Sequence, residues 1–236
     1  MAKESEKDSI RIRMNANSVH NSDDAFSAGG SWEKHGGPEQ TRRFARAFIA
    51  KTKRRMGDFA SVLDFGCALG DAAPIFRADY PKLIYYGCDF SRVAIERCRS
   101  NYSAMGTYFV SSWDELDSFW DVIYCSNVLE HFDNYIEVAH ELLTHCSTLC
   151  IMTPFIEQRA GQDLKPDGVS FHVATLRRNS FDELSATLNC HVQTLTLRVY
   201  GAWGGGWISE AASFMRRLLR GRFEMPPRQI IYICSR

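Results

Sequence analysis

The chain has 236 residues, 45% of them apolar and 24% charged, and its 28 basic and 28 acidic side chains cancel. That length and apolar share fit one globular domain with a full core. The balanced charge leaves no electrostatic footprint for bulk nucleic acid, and no apolar run approaches the ~20 residues that cross a bilayer.

The opening MAKESEKDSIRIR is polar and charged, without the apolar core of a signal peptide. Residues 1 to about 30 read as a flexible lead-in, and residues 31–236 as a single domain. PEQTRRFARAFIAKTK (38–53) places Phe44, Ala47 and Phe48 on one helical side, with Pro38 at the start and basic residues at the end. Strand-like and helical runs then alternate. ASVLDF (60–65) is a strand, DAAPIFRADY (71–80) a short helix, and KLIYYGCDF (82–90) a strand. SRVAIERCRSNY (91–102) is a helix with Ser91 as N-cap. TYFVSS (107–112) and FWDVIYCSNV (119–128) are strands, NYIEVAHELLTHC (134–146) a helix, and TLCIMTP (148–154) a strand. This alternation predicts an α/β fold with parallel strands. Strands this apolar are covered on both faces.

After Pro154 the pattern changes. A polar loop leads to SFDELSATLN (180–189), a helix expected to start at a capping box of Ser180 and Glu183. HVQTLTLRVYG (191–201) alternates like an antiparallel strand, and RQIIYICSR (228–236) closes the sheet. Residues 202–227 between them are too long for a hairpin turn and read as an insertion. It carries Trp203, Trp207 and a basic face of Arg216, Arg217, Arg220 and Arg222. That face fits an acceptor lid, a contact for an acidic group, a dimer contact, or peripheral contact with a membrane surface.

The eight cysteines are scattered and form no CxxC pair. Cys67, Cys88, Cys125, Cys150 and Cys234 lie in apolar runs, where a thiol behaves as a small hydrophobe. Neither disulfides nor a metal site is expected, and the compartment reads as reducing cytoplasm.

The stretch with chemical content is VLDFGCALGD (62–71). In an open parallel sheet, ligands bind beyond the carboxyl ends of the strands, where strand order reverses. Gly66 and Gly70 let backbone approach a ligand or adopt a positive φ. Asp89 ends the second strand, the place for a carboxylate that holds the two hydroxyls of a ribose. A nucleoside-bearing cofactor follows. A dinucleotide fingerprint needs G-x-G-x-x-G, whereas this turn reads Gly66-x-Ala68-x-Gly70. Asp71 at the helix start would repel a pyrophosphate but not a sulfonium with an amino group. The pattern therefore disfavours NAD and points to S-adenosylmethionine.

Here the sequence resembles class I S-adenosylmethionine-dependent methyltransferases of the small-molecule branch. VLDFGCALG is similar to their first motif, YYGCDFS to the second, and FWDVIYCSNVLEHF to the fourth-strand motif, over roughly residues 40–190. The resemblance implies a Rossmann-like three-layer sandwich whose seven-stranded sheet is mostly parallel with one antiparallel strand. Two departures stand out. Ala68 replaces a customary glycine and should fit if its φ is negative. The third strand ends in Ser111, Ser112 and Trp113, with Asp114 one step later, where the family often has an acid for the adenine amino group.

The expected cofactor residues are the turn with Asp64, Gly66, Cys67 and Gly70, then Asp89 with Phe90, Ser112 and Trp113 beside the adenine, where Trp113 either stacks on the ring or belongs to the core, and Asn127, which either faces the methionine end or forms a turn. Gln40 and Thr41 begin a helix whose amides could receive the methionine carboxylate. Trp32 and His35 lie in a segment that could fold as a lid. Methyl transfer is an in-line displacement, so the protein must align a nucleophile and exclude water. A hydroxyl acceptor also needs a base. The candidates are His131, Glu130, His172 and Asp133, with His131 and His172 put forward as catalytic because imidazole titrates near neutrality.

The expected activity is metal-independent O-methylation of a small molecule or saccharide, yielding S-adenosylhomocysteine. The alternatives are a natural-product or lipid-precursor acceptor, a catalytically silent cofactor-binding partner subunit, and an NAD-dependent oxidoreductase.

Overall fold

Seven strands build one sheet in the order β3-β2-β1-β4-β5-β7-β6. The computed structural model describes residues 19–155, 172–199, 215 and 229–236. The strands are β1 Ser61–Phe65, β2 Ile84–Asp89, β3 Thr107–Val110, β4 Trp120–Ser126, β5 Cys146–Pro154, β6 His191–Leu197 and β7 Gln229–Ser235. The helices are α1 Val19–Phe26, α2 Ser31–Lys34, α3 Gly37–Met56, α4 Ala73–Asp79, α5 Arg92–Tyr102, α6 Tyr135–Thr144 and α7 Asp182–Leu188. Strands β1 to β5 pair in parallel. Strand β7 runs antiparallel to both β5 and β6, so it is the one reversed strand.

Alternating side chains explain why helices cover both faces. Along β1 and β4, Val62, Val122 and Tyr124 face one layer with Phe44 and Phe48 of α3, Phe76 of α4 and Ile95 of α5. Leu63, Phe65, Ile123 and Cys125 face the other, with Leu142 of α6 and Phe181 and Leu184 by α7. This period of two on a doubly covered strand is what a near-continuous apolar run encodes. All eight cysteines are free and buried, as fillers of these layers. No helix among the described residues is long and apolar enough to cross a membrane.

Helix ends follow local chemistry. Ser91 accepts a hydrogen bond from the Ala94 amide at 3.1 Å and starts α5. Helix α3 has Pro38 in its first turn, three basic residues in its last, and Gly57 at φ 68° beyond. The capping box expected at Ser180 and Glu183 does not form. Helix α7 starts after Phe181 without a side-chain cap, and the Ser180 hydroxyl accepts from the Arg177 amide at 2.7 Å, closing the preceding turn instead.

The lead-in expected to stay flexible to residue 30 holds helix α1 from Val19. Its anchor is polar and distant in sequence. Asp23 accepts from the Ser91 hydroxyl and, at 3.3 Å, from the Val93 amide at the start of α5. The insertion expected at 202–227 lies outside the described residues apart from Met215, which is exposed; so do the contacts expected of its basic face.

Candidate functional site

Strand order reverses between β1 and β4, and ligands of open α/β sheets bind at such a switch point. A cavity of about 900 Å³ opens there. It lies at the upper end of the ~300–1,000 Å³ usual for small-molecule sites.

The floor is the turn after β1. The Gly66 and Cys67 amides both donate to the Cys88 carbonyl, at 2.9 and 3.0 Å, and fix the turn to the end of β2. Gly66 has φ 74°, and a Cβ there would lie 2.4 Å from a Val128 methyl. Only glycine satisfies both conditions. Ala68 does not take the negative φ expected of it: its φ is 49°. The strained conformation aims its amide at Asp89 Oδ2, 3.1 Å away, and its carbonyl accepts from the Cys98 thiol. Gly70, at φ 79°, does not line the cavity. A Cβ on it would press on Cys98 and Tyr102, so it serves the packing of the turn on α5. Cys67 lines the cavity, and its link to Cys98 together with burial pushes its thiol well above the usual range.

Asp64 and Asp89 put two buried carboxyls at the cavity wall. Asp89 accepts from the Ser91 amide at 2.9 Å through Oδ1 and from Ala68 through Oδ2. A carboxylate can accept about four hydrogen bonds, so each oxygen keeps capacity for a ligand hydroxyl. Burial pushes Asp89 up to about 6 despite these amides. Asp64 accepts from the Tyr85 hydroxyl. Burial pushes it up to about 7, against the Tyr85 bond and helped by the Asp89 charge.

Asp71, expected to repel an anion from the turn, does not line the cavity. Its carboxylate is held by Arg42 of α3 and, at 2.9 Å, by the Tyr102 hydroxyl of α5. Its charge is compensated within the helical layer. The acids that line the cavity are Asp64, Asp89 and, beside His131, Asp133, one of the base candidates.

The remaining expected residues surround this floor. Phe90, Ser112 and Trp113 line the side beyond β2 and β3. Asp114 is turned to the Ser112 hydroxyl, which donates to it at 2.5 Å, and does not line the cavity. Asn127, at φ 55°, takes the left-handed conformation that asparagine tolerates. It accepts from Gln229 Nε2 at 3.3 Å and donates to Ser126 at 3.0 Å. Gln40 and Thr41 line the cavity from the first turn of α3.

Sequence reasoning missed Ser22, Ala25 and Phe26 of α1, which cover the cavity together with Trp32 of α2. Phe26 and Trp32 meet edge to face at 5.5 Å. Glu33 pairs with Arg97 of α5 at 2.7 Å, and Arg97 also donates to the Phe26 carbonyl at 2.9 Å. The aromatic pair six residues apart was the available signal. Trp32 joins the wall as expected, whereas His35 does not.

His131 ends the 3-10 turn Leu129–His131 after β4 and lines the cavity. His172 does not line it; its ring stands behind His131, 5.0 Å between centroids. Its Nε2 is 3.9 Å from Glu130 Oε1. Glu130 is 2% exposed, and neither carboxylate oxygen has an aligned hydrogen-bond partner among the described residues. Burial pushes it up to about 8. No metal site was expected from the spacing of acids and cysteines, yet ligand atoms of Glu130, His131 and His172 all lie within 4.8 Å of one another.

A seven-stranded sheet of this order, with one reversed strand and a cavity at its switch point, is the Rossmann-like methyltransferase fold. A family model described as a methyltransferase domain matches residues 39–198, and the chain belongs to that family. No curated protein matches the chain in sequence. Similar solved structures include magnesium protoporphyrin IX methyltransferase from Synechocystis PCC 6803 with bound S-adenosylmethionine, at 15% identity and TM-score 0.52, over 84% of this chain and 80% of that one. The plantazolicin methyltransferase BpumL, in complex with a pentazolic desmethylPZN analog and S-adenosylhomocysteine, gives 16% identity and TM-score 0.58 over 87% and 88%. A chain from the complex of the Haloferax volcanii Trm112 methyltransferase activator gives 14% identity and TM-score 0.64 over 87% and 96%. At these identities the likeness speaks for the fold.

Proposed function

We propose that the protein is an S-adenosylmethionine-dependent methyltransferase acting on a hydroxyl of a small molecule or saccharide. The observation that carries this reading is the coupling of turn and carboxylate: the Gly66–Ala68 backbone is bonded directly to the end of β2 and to Asp89. That cradle leaves a buried acceptor facing a cavity where a nucleoside ribose fits. Family membership and the cofactors named for the similar structures support the same donor.

When bound, S-adenosylmethionine supplies a methyl group made electrophilic by its sulfonium. Asp89 receives the ribose hydroxyls, and Ser112 and Trp113 border the adenine. Gln40 and Thr41, on the cavity wall near the start of α3, border the carboxylate with their side chains, since the Gln40 amide is already bonded to the Gly36 carbonyl. Asp64 faces the positive charge of the amino end. Phe26 and Trp32 exclude water, which favours alignment over hydrolysis. His131, on the cavity wall beyond β4, is placed to take a proton from an acceptor hydroxyl at an imidazole nitrogen. The eight free thiols suit a reducing compartment such as cytoplasm.

Isothermal titration with S-adenosylhomocysteine and, separately, NAD tests the cofactor class. Heat with the first alone is expected; heat with NAD alone overturns the reading. A screen of hydroxyl acceptors with methyl-labelled cofactor then tests the reaction. His131→Ala is expected to lower kcat far more than cofactor affinity.

A further inference from the structure

We propose that Glu130, His131 and His172 form a binding site for one divalent transition-metal ion at the acceptor end of the cavity. Two distant segments build the site. The Val173 and Ala174 amides both donate to the Glu130 carbonyl, at 2.8 and 3.0 Å, and lock the residues after His172 against the turn that carries Glu130 and His131. The three ligand atoms are thereby held within 4.8 Å of one another. Bond lengths of about 2.0–2.2 Å put tetrahedral donors roughly 3.5 Å apart, so the ligand atoms need to draw together by roughly 1 Å to close on an ion. His172 Nε2 and Glu130 Oε1 are already 3.9 Å apart.

The second observation is the Glu130 carboxylate. It is buried, and both oxygens lack an aligned hydrogen-bond partner among the described residues. Buried carboxylates are otherwise paired or bound to metal, and His172 alone stands too far for a hydrogen bond. Two imidazoles and one carboxylate suit zinc, cobalt or manganese better than calcium or magnesium, which prefer all-oxygen shells. Three protein ligands also leave a position open for an exogenous oxygen. His131 lines the cavity, so that position is directed to where an acceptor would sit. This last role rests on the methyltransferase reading and would take the place of His131 as base, since a ligating imidazole has no second lone pair for the acceptor proton; the site itself does not rest on that reading.

The test uses the full chain, stripped with EDTA and desalted, then titrated with Co²⁺ and followed by visible ligand-field absorption. One Co²⁺ per chain is expected, without thiolate charge-transfer bands and displaced by Zn²⁺. Glu130→Gln and His172→Ala are expected to weaken Co²⁺ binding by at least about 100-fold, the upper end of what outer-shell losses produce. S-adenosylhomocysteine titration of each variant shows that the fold survives. Stripped protein that binds S-adenosylhomocysteine but takes up no stoichiometric metal overturns the proposal. So does Co²⁺ affinity that neither substitution changes, or a thiolate spectrum. Metal binding without S-adenosylhomocysteine binding would sink the methyltransferase reading and leave the metal site standing.

Discussion

Asp64→Asn should make the protein more stable and its cofactor binding weaker, and the gap in stability should open with pH. Asp64 is 3% exposed, and burial lifts its carboxyl from an ordinary value of 3.8 to about 7. An acid whose pKa is raised by folding binds its proton more tightly in the native state. Its ionisation therefore removes stability as pH rises from about 4 to about 7, and the loss is complete above that. A rise of roughly 3 units at 1.36 kcal/mol each corresponds to about 4 kcal/mol. Water in the adjoining cavity screens part of it, so about 2–4 kcal/mol is expected. Asparagine keeps an oxygen for the Tyr85 hydroxyl but has no proton to lose. Urea denaturation of both proteins at several pH values between 4.5 and 8 reads the effect, with the slope m confirming an unchanged transition. The variant's advantage should be smallest near pH 4.5, about a quarter of its full size, and largest at pH 8. S-adenosylhomocysteine affinity at pH 8 should fall in the variant. Stability curves that run parallel across this range would refute the reasoning, because they would mean that Asp64 ionises as easily in the folded chain as in the unfolded one.

Three further outcomes follow from the turn. Gly66→Ala should destabilise the fold by more than the roughly 1–2 kcal/mol of a positive φ alone, since its methyl meets Val128 at 2.4 Å; thermal unfolding should show Val128→Ala restoring part of the loss. Asp89→Ala should weaken S-adenosylhomocysteine binding in calorimetry by about 1–3 kcal/mol, as for a charged hydrogen-bond acceptor, and unchanged affinity would remove Asp89 from the site. Ala68→Gly should leave cofactor affinity intact and raise stability by up to about 1 kcal/mol, since glycine relieves the positive φ while a more mobile unfolded chain offsets part of the gain; a loss of stability would show that Ala68 is not strained.

Much of this was legible where the signal is local. The strands β1, β2, β4 and β5 announce themselves as short apolar runs, and Asp89 stands out because an acid ends such a run. Ser91 starts α5 by a contact three residues long. The features that escaped depend on pairs far apart in the chain. Asp71 looked like an exposed acid because nothing local reveals Arg42, 29 positions earlier. Helix α1 looked like tail because its anchor, Asp23 to Ser91, spans 68 positions. The φ of Ala68 is set by the carboxyl 21 residues on, not by the preferences of alanine. His172 is a catalytic candidate by residue type, but the bonds of Val173 and Ala174 to Glu130 hold its segment behind His131 and off the cavity wall.

The reversed strand has a consequence for how the molecule is made. Strand β7 lies between β5 and β6, yet it is the last of the three to be synthesised. Until Gln229–Ser235 leaves the ribosome, β6 has no neighbour and one flank of β5 lies bare. Such late, long-range pairing is intrinsically slow and exposes unpaired edges meanwhile. Gln229, the first residue of that strand, also bonds Asn127, so the nascent chain closes the Asn127 end of the cavity only when β7 slots into the gap.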